Sequence, residues 1–248
     1  MALDRLIDLE WSYLKDIGAV FRRIDDGVWR IFHPLAPSFD ELNTLWCAPG
    51  LIAGRRWKNE WLWDGMNRVT ESPLKSERLP GSALPEAWLS GQLYWLVGPR
   101  PDCRRIPELR IEPAIRSEVK QDYIDLACQP FQRWRPHLIS ERLAICPWMA
   151  SGDGRLVGRV AYWNSIPVGY CDSFMPADKG ESPMLIENLW VDPGARGRGI
   201  ATQLASAGTC SQIFAIVDAE AEALNVYFHW GFTVAGRQTF WSKSGFPM

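Results

Sequence analysis

Glu187-Asn-Leu-Trp-Val-Asp-Pro-Gly-Ala-Arg196-Gly-Arg-Gly-Ile-Ala201 is the stretch from which the rest of the chain can be read. Met184 to Val191 is an apolar run of strand length, stopped by Asp192-Pro193-Gly194. A helix is expected from about Gly197 to Ala207. A buried strand that runs into a glycine-rich turn and then opens a helix aims several unpaired backbone N–H groups at one spot, together with the positive end of the helix dipole. That is an anion site suited to a phosphate or pyrophosphate. Gly197 and Gly199 let the backbone approach such a group with no side chain in the way, and Arg196 and Arg198 add charge. No Gly-Lys-Ser/Thr follows, and the G-x-G-x-x-G spacing of dinucleotide-binding folds is absent. Taken alone, two glycines after a strand are a tight turn.

Outward from this segment the alternation of elements continues. Gln212 to Val217 is a short apolar strand, Ala219 to Trp230 is helical, and Thr233 to Trp241 is a last strand. Upstream, Arg155 to Tyr162 and Pro167 to Phe174 flank Asn164-Ser165 as a hairpin. Ile115 to Phe131 has the apolar spacing of an amphipathic helix, and Leu109 to Ile111 suits a short strand. The order is strand–helix–strand–strand–strand–helix–strand–helix–strand, an α/β (α+β) layer with a mixed sheet flanked by helices. Pro99 to Pro107 is a break rich in proline and arginine, which places a domain boundary near residue 107 and divides the chain into 1–106 and 107–248.

The 248 residues allow one large domain or two of about 120 each. Lys+Arg is 27 and Asp+Glu 29, a net charge of −2 that gives no general grip on nucleic acid or anionic membrane. With 47% hydrophobic residues the chain can build a sizeable core, and no stretch approaches the roughly 18 apolar residues of a spanning helix. Asp4, Asp8 and Glu10 do not suit a secretory signal, so a soluble cytoplasmic protein is expected. Cysteines stand at 47, 103, 128, 146, 171 and 210, with no C-x-x-C pair, and the three histidines are scattered. Reduced thiols and no metal site are expected.

Arg196-x-x-Gly199-x-Ala201 after Asn-Leu-Trp-Val-Asp-Pro resembles the coenzyme A-binding motif of the GNAT superfamily of N-acetyltransferases. Val226-Tyr-Phe-His-Trp-Gly-Phe232 is similar to that family's second signature, a helix end followed by a strand. The resemblance covers residues 107 to 248 and implies the following. Backbone groups of Leu189, Trp190 and Val191 would hydrogen-bond the pantetheine arm of acetyl-CoA or another acyl-CoA. The amides of Arg196, Gly197, Arg198, Gly199, Ile200, Ala201 and Thr202 would cradle the pyrophosphate. Tyr227 falls where the family places the tyrosine that protonates the departing thiolate, and a phenol suits a thiolate of similar pKa. Glu187 falls where several members place a general base; side-chain alternation puts it on one face with Leu189 and Val191, and Asn188 and Trp190 on the other. A surface or salt-bridged Glu187, with a water chain as base, is the alternative. The family's asparagine seven residues before the tyrosine is here Glu220, and the later strand carries the apolar run Ile213 to Val217 where members acting on protein N-termini often have a glutamate. These departures weaken a protein acceptor and leave a small-molecule amine.

The first 106 residues carry no phosphate loop. Gly27 to Phe32 and Gln92 to Gly98 suit strands, and Thr70 to Pro85 has loop chemistry. The layout resembles two-domain members of the superfamily, whose N-terminal half is often a degenerate copy that closes one side of the acceptor cleft. Seven of the fourteen tryptophans fall between residues 29 and 95. Trp57, Trp61 and Trp63, with Arg55, Arg56 and Asp64, are either that wall or its core. The leading expectation is an acyl-CoA-dependent N-acyltransferase, a monomer or homodimer with no membrane or nucleic-acid partner. Two alternatives stay open. One is a donor carried on an acyl carrier protein or aminoacyl-tRNA, docked on Arg100, Arg104, Arg105, Arg133 and Arg135. The other is a sensor that binds coenzyme A and transfers nothing.

Overall fold

The computed structural model describes residues 3–39, 42–48, 68–71, 88–134, 138–149, 155–175 and 183–243. From the N-terminus come α1 (Leu3–Asp16), β1 (Val20–Asp25), β2 (Val28–Phe32), β3 (Asn43–Cys47), β4 (Arg68–Glu71) and β5 (Trp88–Pro99). There follow β6 (Leu109–Pro113), α2 (Ser117–Trp134), α3 (Ile139–Met149), β7 (Leu156–Trp163), β8 (Ile166–Phe174) and β9 (Met184–Val191). The chain ends in α4 (Ile200–Ser206), β10 (Gln212–Asp218), α5 (Ala223–His229) and β11 (Thr233–Lys243).

Local chemistry accounts for most of these. Leu6, Leu9 and Tyr13 are buried along one stripe of α1, with Asp4 in its first turn and Lys15 in its last complementing the helix dipole. In α2 the buried stripe is Val119, Tyr123, Leu126 and Ala127. Asn164 and Ser165 both take positive φ, 48° and 68°, the pairing a two-residue hairpin turn requires between β7 and β8. Two helices begin later than the sequence suggests. Gly197 (φ 75°) and Gly199 (φ 76°) are left-handed, so α4 opens at Ile200. Asp218 Oδ1 accepts the Glu220 N–H at 2.8 Å, which turns the chain before α5 can start. The sequence reading has no counterpart for α1, β1, β3, β4 or α3.

All eleven strands form one sheet in the order β1-β2-β3-β4-β11-β5-β10-β9-β8-β7-β6. The stretch from β6 through β7, β8, β9, β10 and β5 to β11 is the expected mixed sheet flanked by helices. Its arrangement is less expected: β5, from before the proline break, pairs antiparallel with β10 on one side and β11 on the other, and β11 continues into antiparallel pairing with β4. Each side of the β5–β11 centre then repeats a pattern. Beyond β5, β10 runs parallel to β9, and beyond β11, β4 runs parallel to β3. One face of the sheet packs on α1, α2 and α3 through Leu6, Tyr13, Tyr123, Ile145, Trp95, Leu185 and Phe214. The other packs on α4 and α5 through Ile200, Leu204, Tyr227, Leu96, Ile186 and Ile213.

Candidate functional site: a gap between two parallel strands

β9 and β10 pair only over Met184–Ile186 and Ile213–Ala215. Past that point they diverge, because β9 holds a bulge. Asn188 has φ 50°, and the register with β8 jumps from Asp172↔Glu187 to Tyr170↔Trp190, so that one residue on β8, Cys171, faces two on β9, Asn188 and Leu189. The extra residue corrects the strand alternation read from the sequence. Met184 and Ile186 pack towards α4, and so do Leu189 and Val191, whereas Leu185 and Trp190 pack towards α1 and α2. Glu187 therefore shares the α2 face with Leu185 and Trp190, opposite Leu189 and Val191. Leu189, Trp190 and Val191, expected to carry the arm of the ligand, lie on β9 beyond its last pair with β10.

At the end of β9 the chain enters the glycine loop. Asp192 Oδ1 accepts the Gly194 N–H at 2.7 Å and opens a single 3₁₀ turn, Pro193–Ala195. Arg196 donates its Nε–H to the Val191 carbonyl at 3.1 Å, and the Arg198 guanidinium lies 5.1 Å from the centre of the Trp163 ring. Both arginine side chains thus also brace the loop. A β-carbon on Gly197 would meet nothing within 4 Å, so the backbone faces open space there. One on Gly199 would come 3.2 Å from Ile106 Cδ1. Ile200 is buried, and Ala201 and Thr202 complete the first turn of α4. The connector from β5 lies against that helix: Ser206 donates to the Pro101 carbonyl at 2.8 Å, and Gln203 donates to the Arg104 carbonyl. The Arg100 guanidinium donates to the Gly208 carbonyl at 2.9 Å, a structural use for one of the arginines proposed as a docking patch. Arg104 and Arg105 are exposed; the side chain of Arg133 and all of Arg135 lie outside the described residues, as do Arg55, Arg56, Trp57, Trp61, Trp63 and Asp64.

Tyr227 is buried on α5, its ring 5.4 Å from Trp230 and 5.2 Å from Phe232, and its carbonyl accepts the Phe232 N–H at 3.1 Å. Burial raises its phenol pKa well above the ordinary value, and the negative charge of Glu187 pushes it further up. Glu187 is thus within electrostatic reach of Tyr227, and of Tyr13 on α1 from the other face. Sequence reasoning missed the polar cluster on that face. Asp172, opposite Glu187, is fully buried and accepts from the Tyr123 hydroxyl at 2.5 Å and from Asn188 Nδ2 at 2.9 Å, with buried Arg142 3.9 Å away. Burial pushes its carboxyl up to about 6, against the pull of Arg142, Tyr123 and Asn188. An aspartate in a strand whose neighbours include Tyr170, Cys171 and Phe174 is the signal that could have marked it.

Residues 114–215 match the model of the Acetyltransferase (GNAT) family. No curated protein matches the chain. Among solved structures, a conserved protein of unknown function from Staphylococcus epidermidis ATCC 12228 is similar at 16% identity and a TM-score of 0.67, over 92% of this chain and 94% of that one. A GCN5-related N-acetyltransferase from Kribbella flavida is similar at 10% identity and a TM-score of 0.60, over 97% and 95%. A tandem GNAT protein from the clavulanic acid biosynthesis pathway follows at 15% identity and a TM-score of 0.53, over 86% and 77%. At these identities the likeness is one of fold, and it extends over both halves of the chain. Among the described residues no helix is long and apolar enough to cross a membrane.

Proposed function

We propose that the chain is a cytoplasmic acyl-CoA-dependent N-acyltransferase, with acetyl as the group transferred and a small amine as acceptor. The observation that carries this reading is that β9 and β10 stop pairing at Ile186 and Ala215, and that the loop following β9 is open at Gly197. Backbone groups of Leu189 to Val191 would pair with the amide-bearing pantetheine arm as a strand pairs, and the amides from Arg196 to Thr202 would take the pyrophosphate. Arg196 and Arg198 are exposed beside that loop and add positive charge.

The chemistry follows from the two faces. An ammonium acceptor loses its proton to Glu187, directly or through water, and its nitrogen attacks the thioester carbonyl. A strand amide steadies the oxygen as it gains charge. As the carbon–sulfur bond breaks, the thiolate takes the proton of Tyr227, which as a phenol is protonated at neutral pH. No disulfide joins the six cysteines, in keeping with a reducing compartment. In the same reading, residues 1–106 are an accessory half built on the same strand plan as 107–248, each half lending one strand to the other.

Calorimetric titration with acetyl-CoA and with free coenzyme A tests the donor, and thiol release across a panel of small amines tests the transfer. Tyr227→Phe is expected to bind both ligands as the native protein does and to lose about 100-fold in kcat. A native protein that binds neither ligand overturns the acyl-CoA reading and turns attention to carrier-bound donors. Binding with no release to any amine, in native and variant alike, favours the sensor.

A further inference from the structure

Asn188 stands at φ 50° in the middle of β9, and its side chain is tied to the neighbouring strand by the 2.9 Å bond from Nδ2 to Asp172 Oδ2. The carboxylate at the other end is 0% exposed and is itself oriented from two helices, by the Tyr123 hydroxyl of α2 on Oδ1 and by Arg142 of α3, 2% exposed. A left-handed backbone is strained for a non-glycine residue, so the bulge persists only where its surroundings hold it. Its loss would not be a local matter. The bulge is one odd residue, and without it the strand slips by one, exchanging the faces of Leu189, Trp190 and Val191. Trp190 would leave the side of Tyr170, whose ring centre lies 6.1 Å away, and Val191 would turn out of the α4 core.

We propose that Asp172 is a positioning residue for acyl transfer: through Asn188 it fixes the bulge that turns the amides of residues 188–190 into the gap between β9 and β10, where one of them meets the thioester carbonyl. The inference rests on the acyl-CoA reading above and adds to it a group that touches neither substrate. It also explains why a fully desolvated carboxylate sits on β8, a placement that is expensive unless every oxygen is engaged.

The test uses the full chain and isotope-edited infrared spectra of bound acetyl-CoA carrying ¹³C at the thioester carbonyl, alongside coenzyme A titrations. In the native protein the carbonyl stretch is expected below that of the free ligand, the signature of a hydrogen bond to the oxygen. Asn188→Gly leaves the left-handed backbone accessible and removes only the tie. It should return the stretch to the free-ligand value while coenzyme A affinity stays within about threefold. Asn188→Asp should do the same by setting two carboxylates against each other. The double exchange Asp172→Asn with Asn188→Asp reverses donor and acceptor, and should recover the native stretch. An unshifted native carbonyl, or a native-like carbonyl in folded Asn188→Gly, overturns the positioning role. So does a parallel loss of coenzyme A affinity, which would mean the bulge only holds the strand. Failure of the native protein to bind either ligand is a separate result, and removes the acyl-CoA reading itself.

Discussion

Glu10, on the face of α1 that looks at the sheet, has an Oε2 atom with no hydrogen-bond partner and a carboxyl raised from 4.5 to about 7. Burial is the larger cause, and the charge of Arg68, itself 6% exposed, pulls the other way without prevailing. A carboxyl whose pKa rises on folding prefers to be protonated in the native state. Its contribution to stability is complete below about 4.5 and is lost as pH climbs through 7. The midpoint of urea unfolding should therefore fall between pH 5 and pH 8 in the native protein by more than in Glu10→Gln, where this part of the slope vanishes. Identical slopes in the two proteins would show that Glu10 does not titrate in this window. Single residues differed in how legible they were. Tyr227 and Glu187 could be picked out because each stands at a fixed distance from the glycine loop. The bulge at Asn188 could not, since an odd residue in a strand is defined by its partner β8, 16 positions away at Asp172. Plain alternation therefore put Glu187 on the wrong face relative to Leu189.

Elements with a local signature were the readable ones: β7 and β8 by the Asn164-Ser165 turn, β9 by its apolar run and proline stop. α3 was not, because Ile139–Met149 is apolar nearly all round and shows no stripe. The loop between β9 and α4 allows stability and ligand affinity to be separated at this scale. Gly197 has φ 75° and open space where a β-carbon would go, so Gly197→Ala carries only the left-handed penalty of about 1 kcal/mol. That methyl group would project into the space assigned to the pyrophosphate. Thermal unfolding should move by only a few degrees, while affinity for coenzyme A drops by at least about tenfold, a loss of roughly 1.4 kcal/mol. An unchanged dissociation constant in this variant would mean that the loop is a tight turn and nothing more, which is how two glycines after a strand read in isolation.

At the scale of the whole molecule the sequence is least informative, because nothing in Trp88–Pro99 announces that it will lie between β10 and β11. Pairings of such long range are set by which edges remain open once the local elements exist, and the two halves leave matching ones: β10 and β4 each receive an antiparallel strand from the other half. The consequence is mechanical unity, and it can be tested at the seam. Gly98 of β5 is buried against Phe232 at the start of β11, and a β-carbon there would fall 2.4 Å from the phenylalanine ring and 2.9 Å from its Cα. Backbone cannot yield as a flexible side chain does, so Gly98→Ala should cost about 1–3 kcal/mol. For a chain of this length that corresponds to a fall in Tm of roughly 2–12 °C. Because β5 and β11 each pair with strands of both halves, the loss should appear in one cooperative transition. Trp11, Trp29 and Trp46, clustered around α1, should report through fluorescence the same shifted midpoint as far-ultraviolet circular dichroism does for the sheet. Two separated transitions, with only the later half displaced by the substitution, would show instead that the halves fold independently and merely touch along the seam.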